Sequence, residues 1–453
     1  MISWLTASFN QAFRWLLRLD LPVLPRTDEE IQAETERNYR WNVGVNLLDV
    51  INFWFGMSFI SASTILPLFI SKLTANPFPI ALVAVIGQGS WYLPQLLTAN
   101  WIEGLARKKP VVVNLGFFLE RLPIWLLVMA AMAAAWSPWL ALVIFFFGYV
   151  VHGVGAGLIA TAWQDLIARC FPVDRRGRFF GTAMFLGAGM ATAGAALSTW
   201  ILENYQFPTN FVFLFLIAAG TITLSCVFLA LTREPVQPVK GPRRSNRQFW
   251  ASLPLIVRRD RNFRRFLVAR LLLALGGMGF GFVTVAAIQR WQIPDQMVGI
   301  YTAAYLIGQT IGNLVVGFLA DRFGHKLSLE LSALATCFAF GLAWLAPDPA
   351  WYYLVFALLG AAIGAIIVSG ILVVLEFCPP ERRPTYTGLT NTGVGIASMV
   401  APLLGAAMAA FSYDWLFILS ALVNLAALIA LHWWVKEPRW AGVGLVETEV
   451  KPV

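Results

Sequence analysis

An all-α polytopic membrane fold is predicted for this chain, with twelve transmembrane helices in two pseudo-symmetric six-helix bundles. Three observations predict it. The composition is 58% hydrophobic and only 13% charged, with mean hydropathy +0.69, where a soluble chain carries about 25% charged residues. Apolar runs recur along almost the whole length, and a bilayer crossing needs roughly 20 such residues. Short sequence matches also recur in the same order in the two halves.

Residues 1–41 form a cytoplasmic amphipathic segment. Ile2, Leu5, Phe9, Ala12, Leu16 and Leu19 repeat at helical spacing opposite Gln11, Arg14 and Arg18, the pattern of a helix lying in a membrane interface. Arg14 and Arg18 interrupt the apolar stretch and no small-residue cleavage site follows, so it is not read as a signal peptide. Pro22 and Pro25 are expected to end that helix. Thr27 with Glu30 then reads as a capping box opening a short acidic helix.

Twelve spans follow, near 42–71, 78–98, 110–134, 138–168, 178–202, 210–232, 263–289, 297–319, 327–346, 350–377, 385–411 and 414–435. Lys and Arg concentrate in one set of connections: "RKK" (107–109), "DRRGR" (174–178), "GPRRSNRQ" (241–248), "RRDRNFRR" (258–265) and "ERR" (381–383). The alternate set holds only Lys72 and Arg290. The basic set is cytoplasmic by the positive-inside rule, which places both termini in the cytoplasm and the chain in a plasma or inner membrane.

The internal matches set the domain plan. "RNYR" (37–40) returns as "RNFR" (261–264), and "FPVDRRGRFFG" (171–181) as "CPPERRPTYTG" (378–388). "TREP" (232–235) returns as "VKEP" (435–438), and "ANWIEGLARK" (99–108) aligns with "GFLADRFGHK" (317–326). The plan is an N-terminal bundle at 42–232, a basic linker at 233–262, a C-terminal bundle at 263–438 and a cytoplasmic tail at 439–453. Because six is even, the halves are parallel repeats about an axis along the membrane normal.

Composition also excludes function classes. The net charge is +9, but its confinement to short connections is a topology signal, and no basic face with interleaved aromatics suggests nucleic acid. The four cysteines lack the paired spacing of a disulfide framework or zinc site. No metal-ligand spacing, nucleotide loop or Ser-His-Asp arrangement is present, so neither a cofactor nor enzymatic activity is expected.

"GFLADRFGHK" is similar to the loop signature G-x-x-x-D-R-x-G-x-K of the major facilitator superfamily of secondary transporters. Together with the twelve spans, the six-plus-six repeat and the basic central loop, it makes residues 37 to 438 resemble that family and its major facilitator fold. The resemblance implies a small-molecule substrate, a proton or sodium ion as coupling partner, contact with membrane lipids, a monomeric chain, and a cavity lined by spans 1, 4, 7 and 10. It also implies a cytoplasmic gate: Asp321 meets the start of span 5 near Arg178 to Thr182, and Glu103 the start of span 11, with Arg322, Lys326, Arg175 and Arg382 on the same side. The residues agree physically. Gly317 lets two helices approach and Gly324 permits a turn, and a carboxylate suits a helix N-terminus. The first-half copy departs from the signature, with Ala99, Gly104 and Ala106 where Gly, Arg and Gly are expected. Span 4 reads "YVVHGVG" (149–155) and span 5 lacks a glycine-proline pair, so the antiporter motifs of the family are missing.

Polar residues inside spans are the functional candidates, since an intramembrane ionisable group is costly. Asn46, Asp49 and Asn52 share one stripe of span 1 with Trp54 nearby; the stripe suits a proton, a cation or a polar substrate group, or a helix contact. His152 lies in span 4. Glu120 and Arg121 are adjacent in span 3, and neighbours on a helix diverge by about 100°, so each is expected to find its own partner. Trp163, Gln164 and Asp165 form either an inner gate or a cap contact. Gln88, Gln309, Asn313 and Asn391 are hydrogen-bond candidates. "LGGMGFGF" (275–282) should bend or break span 7, and the small stripe Gly393, Ala397, Ala401, Gly405, Ala409 is packing. The reading favours export of a hydrophobic or amphipathic compound; uptake of a polar solute by cation symport and a non-transporting membrane sensor or assembly factor are the alternatives.

Overall fold

The computed structural model describes residues 11–62, 64–74, 77–239, 245–293 and 295–441. Among them all regular structure is helical. Among the described residues ten helical stretches are long and apolar enough to cross a membrane. The first two spans make up the twelve: helix α2 dilutes its apolar half with Asn42, Asn46, Asp49 and Asn52, and the second is broken near Pro94.

The chain falls into two compact units, Met1–Val173 with Leu186–Pro242, and Asp174–Phe185 with Arg243–Val453. Unit 1 opens with a helical turn at 11–16 (α1). The expected amphipathic helix is described only from residue 11, since residues 1–10 lie outside the described residues. It stops not at the prolines but at Arg18, whose φ of 53 is left-handed. The segment is tied to the unit: Asn114 donates to the Leu16 carbonyl at 2.6 Å, and Arg107 to those of Leu21 and Pro22 at 3.1 and 2.8 Å.

The capping box at Thr27 and Glu30 is present, but the helix it opens is not short. With no proline between, α2 (Asp28–Ser58) runs from the acidic turn into span 1, since adding a residue to an existing helix is far easier than starting one. Span 1 resumes as α3 (Ile65–Leu73), and span 2 is α4 (Pro77–Tyr92) with α5 (Gln95–Glu103). Span 3 begins with two π-helical turns, Val111–Leu115 and Phe117–Arg121, before α6 (Ile124–Ala133). Then come α7 (Pro138–Cys170), α8 (Arg176–Asn204) and α9 (Thr209–Ala230). Phe69 packs on Phe145, Phe211 and Phe215, with ring centroids 5.1–5.7 Å apart, at the centre of this unit's core.

The segment connecting the halves is not simply a loop. Ser245 and Gln248 form a capping box opening α10 (Asn246–Arg259), which buries Phe249, Leu253 and Ile256 at i, i+4, i+7. Unit 2 continues with α11 (Arg261–Gly276), broken by a 3-10 turn at Gly277–Phe282 where the glycines predicted a weak point, and α12 (Val283–Trp291). There follow α13 (Asp295–Phe323), α14 (His325–Leu345), α15 (Trp351–Glu376), α16 (Arg383–Phe411), α17 (Tyr413–Ile429) with a π turn at Ala430–Trp434, and α18 (Pro438–Ala441). The α16 small stripe packs as expected: a Cβ on Gly405 would strike the Phe282 ring at 2.9 Å. Both copies of the "RR" repeat adopt the same local form, a 3-10 turn at Val173–Arg175 and at Pro380–Arg382 leading into α8 and α16.

Candidate substrate and coupling site

Within unit 1, two of the sequence candidates, Asp49 and His152, lie beside the Glu120–Arg121 pair. Asp49 is 6% exposed, so it is enclosed by the unit and not open to water. Arg121 acts on it and the Ser225 hydroxyl of α9 faces it, yet its Oδ1 has no hydrogen-bond partner. Glu120 and Arg121, both buried, form an ion pair with each other. This corrects the expectation of separate partners. Both belong to the π turn Phe117–Arg121, whose wider winding brings successive side chains closer than in an α-helix and whose long side chains cover the remaining gap. A Cβ on Gly116 would press on Ile159 Cδ1 at 2.9 Å and reach Arg121 Nη1 at 3.4 Å. The guanidinium also lies 5.9 Å from the centre of the Phe53 ring.

His152 on α7 joins this cluster through the backbone, its Nδ1 being 2.7 Å from the Glu120 carbonyl oxygen. A carbonyl accepts, so Nδ1 carries the proton and Nε2 is the acceptor. Asn46, buried, donates to the Asn42 carbonyl at 2.8 Å and to Thr232 Oγ1 at 3.1 Å, and its Oδ1 is unpartnered. Asn52 donates to the carbonyl of Leu48 at 2.8 Å. The stripe thus divides: Asn46 serves the end of α9, Asp49 the charged cluster, and Asn52 its own helix. Trp54 is 38% exposed and lies against Gly187. Gln88 on α4 is exposed.

In unit 2, Asn313 on α13 is buried with an unpartnered Oδ1, and Gln309 is half-buried one turn earlier. Asn391 on α16 is half-buried. Sequence reasoning missed Arg270, buried within α11 and lying against Gly370, where a Cβ would come within 2.7 Å of its Nη2. The repeat "RNYR"/"RNFR" places Arg270 opposite Asn46, a signal that could have found it.

Of the residues expected at the gate, Asp321 and Gly317 lie against the start of α8 within unit 2. Asp321 Oδ1 accepts the Gly177 N–H at 2.7 Å and Oδ2 accepts that of Arg178 at 2.8 Å. Arg178 Nε adds an ion pair at 3.4 Å, with its side chain 55% exposed. The carboxylate therefore satisfies first-turn amides that a helix leaves without internal partners. Gly317 is the reason it can reach: a Cβ there would lie 2.5 Å from the Gly177 oxygen and 3.0 Å from the Gly181 Cα. Gly324 has φ +91, a conformation glycine adopts at no steric cost. Lys326 pairs with Glu330 at 3.2 Å, and the Arg322 guanidinium lies 5.2 Å from the centre of the Phe323 ring. Arg175 and Arg382 close the two equivalent 3-10 turns. Glu103 ends α5, half-buried.

A second layer of charge was legible in the sequence only as topology. Glu234 of "TREP" accepts the backbone N–H groups of Lys108 and Lys109 at 2.7 and 2.9 Å, and Arg169 Nη1 lies 3.5 Å from it. Burial pushes the Glu234 carboxyl up, against the lowering pull of Arg169 and these amides. Asp165 receives Arg169 at 3.1 Å and Lys108 at 3.5 Å; it is part of this end network. Lys108 also donates to the Ile102 carbonyl, and burial brings its amine down to about 8. The second half repeats the design with charges exchanged. Glu437 of "VKEP" accepts the Lys326 N–H, while Arg439 holds Glu376 at 2.6 Å and the Asp321 carbonyl at 2.8 Å. Asparagine clamps close both units. Asn42 exchanges two hydrogen bonds with the Arg233 backbone at 3.0 and 2.9 Å, and Asn262 does the same for Lys436 at 3.0 and 2.8 Å.

Among the described residues no group of His, Cys, Asp and Glu is arranged to hold a metal ion. The site offers buried ionisable groups inside a helical bundle, which can take up and release a proton.

Known proteins share this architecture. The family model described as "Major Facilitator Superfamily" matches residues 48–290 and 284–449. The chain is 29% identical over 150 residues to "Inner membrane metabolite transport protein YdjE" of Escherichia coli K12, covering 32% of this chain and 33% of that protein. Matches to the first curated relatives thus span about a third of their lengths. It is 22% identical over 413 residues to "Uncharacterized MFS-type transporter MJ1317" of Methanocaldococcus jannaschii, covering 89% of this chain and 98% of that one. Among solved structures, the E. coli fucose:proton symporter FucP (N162A) superposes with a TM-score of 0.71 at 14% identity, covering 88% of this chain and all of that one.

Proposed function

The chain belongs to the major facilitator superfamily and is a multi-pass membrane transporter, and from that premise we propose that it couples the movement of a small organic solute to a proton taken up at Asp49. One observation carries the reading: a buried carboxylate oxygen without a donor, in a bundle where Glu120 already pairs with the one arginine beside it. A buried carboxylate lacking a dedicated counter-ion is costly to keep charged, and protonation removes that cost. Arg121 keeps the charged form accessible, so the group can cycle. Asp321, Gly317 and the α8 start serve as the gate, and the basic connections and both termini face the cytoplasm of a plasma or inner membrane. The partial match to a metabolite transport protein supports a metabolite as the solute.

The test uses proteoliposomes loaded with a pH-sensitive dye and a panel of metabolites. A transported solute moves protons in the wild type. Asp49→Asn binds the same solute by thermal shift but moves no protons and does not concentrate it. Full uphill transport by Asp49→Asn would make Asp49 a structural residue.

Export of a hydrophobic or amphipathic compound is the second reading, favoured by the partly exposed Trp54 indole beside Gly187. Extrusion of a lipophilic cation dye from the same vesicles, driven by a pH gradient and lost in Trp54→Ala, would select it over uptake.

A further inference from the structure

At the start of α11, three arginines fall on one helical face. Arg261, Arg264, Arg265 and Val268 stand at i, i+3, i+4 and i+7, and with Trp434 they line an open cavity of about 330 Å³. No carboxylate belongs to the lining. The acid nearest in sequence, Asp260, is already engaged: its Oδ1 accepts the Phe263 N–H at 2.8 Å and its Oδ2 the Tyr386 hydroxyl at 3.2 Å. Two of the guanidiniums are held in direction by the backbone, Arg264 Nη1 donating to the Arg258 carbonyl and Arg265 Nη1 to that of Trp434, both at 3.0 Å. A guanidinium has five N–H donors, so these bonds orient each group and leave donors over.

We propose that this cavity binds the phosphate of an anionic phospholipid, with the acyl chains running past Val268. Three observations select a lipid over a soluble phosphate. The cavity lining includes the apolar residues Val268 and Trp434. Trp433 beside it is 71% exposed and Trp440 is 66% exposed, and exposed tryptophans at span ends mark the headgroup level. The cluster sits where a basic segment meets a span, with Arg258 and Arg259 preceding it, the arrangement that attracts anionic headgroups. The site would tie α11 to the π turn Ala430–Trp434 through one headgroup. It does not depend on the proposed proton coupling.

The experiment places purified full-length protein in detergent with dioleoylphosphatidylglycerol, with dioleoylphosphatidylcholine, or with inorganic phosphate, read by native mass spectrometry and thermal shift. The wild type retains one phosphatidylglycerol and is stabilised by it, while phosphatidylcholine and inorganic phosphate do neither. Arg261→Gln with Arg264→Gln, both at exposed positions, weakens phosphatidylglycerol retention by roughly thirtyfold, at about fivefold per arginine. Arg265→Gln is a separate variant, because its bond to the Trp434 carbonyl could affect folding. Equal retention by a folded double variant overturns the proposal. So does stabilisation by inorganic phosphate alone, which would make the cavity a soluble-anion site.

Discussion

Neutralising Asp321 tests the proposed gate at its contact with the start of α8. In Asp321→Asn the side chain keeps its shape but presents one acceptor and one NH₂ group. The two amides it serves, Gly177 and Arg178, are bonded at 2.7 and 2.8 Å. One of these bonds is lost outright, since an NH₂ cannot accept, and the other changes from charge-assisted to neutral. Hydrogen bonds to charged groups are worth about 1.5–3 kcal/mol and neutral ones about 1, and a partly buried carboxylate at a helix N-terminus reaches about 2. These overlap and do not add. The Arg178 ion pair, at 3.4 Å with its side chain 55% exposed, is discounted. A loss of about 2 kcal/mol is expected, close to thirtyfold in a two-state ratio. Hydrogen exchange on the peptide covering 174–182 reads it directly: Gly177 and Arg178 should exchange roughly thirtyfold faster, while Arg322→Gln changes nothing. Unaltered exchange at those two amides, in a variant that melts like the wild type, would refute the reasoning that this carboxylate holds the start of α8.

Other consequences follow from the same contacts. Gly317→Ala and Gly181→Ala each force a Cβ against backbone, at 2.5 Å from the Gly177 oxygen and 2.6 Å from the Asn313 oxygen; each should cost about 1–3 kcal/mol, seen as a lower melting temperature in detergent. Lys108 is held at about 8, below its usual 10.5, by burial. The folded protein then binds fewer protons than the unfolded chain between pH 8 and 10.5, so this group adds stability as pH rises through that window and the gain is lost as pH falls through 8, about 3 kcal/mol at most. Lys108→Met should flatten the slope of melting temperature against pH there, and an unchanged slope would exclude Lys108 as its source. Asn42→Ala removes the partner of a part-buried N–H and C=O of Arg233, at about 1 kcal/mol; trypsin cleavage after Arg233 should accelerate, and Asn262→Ala should do the same after Lys436.

Much of the site was readable because it is written twice or sits where the membrane forbids it. Asp321 stood out as an acid in a glycine-flanked turn, and its expected contact near Arg178 is present. Asp49 and His152 stood out because charge is rare inside apolar runs. Glu234, Arg169, Glu376 and Arg439 did not, because charged residues at span ends look like topology markers until adjacent helix ends are known. The repeated Glu-Pro of "TREP" and "VKEP" was the available signal for Glu234 and Glu437. For the Glu120–Arg121 pair there was none, since the winding of one turn does not show in residue type.

By itself the sequence determined the class, the number of spans, the repeat, the basic ends and the glycine-weakened seventh span, because each depends on local composition or on spacing along the chain. Bilayer thickness, helix propensity and steric limits on glycine act residue by residue, so they leave local marks. Tertiary structure alone decided that the linker carries a docked helix, that Arg18 turns the N-terminal segment back onto unit 1, that Asp49 is enclosed beside an arginine already paired to Glu120, and that three arginines of α11 share a cavity with Trp434. These are contacts between residues far apart in sequence or of the same sign of charge. Their free energy depends on which side chains a packed bundle brings within a few ångströms, and hydrophobic burial, which drives that packing, is nearly indifferent to which apolar neighbour supplies it.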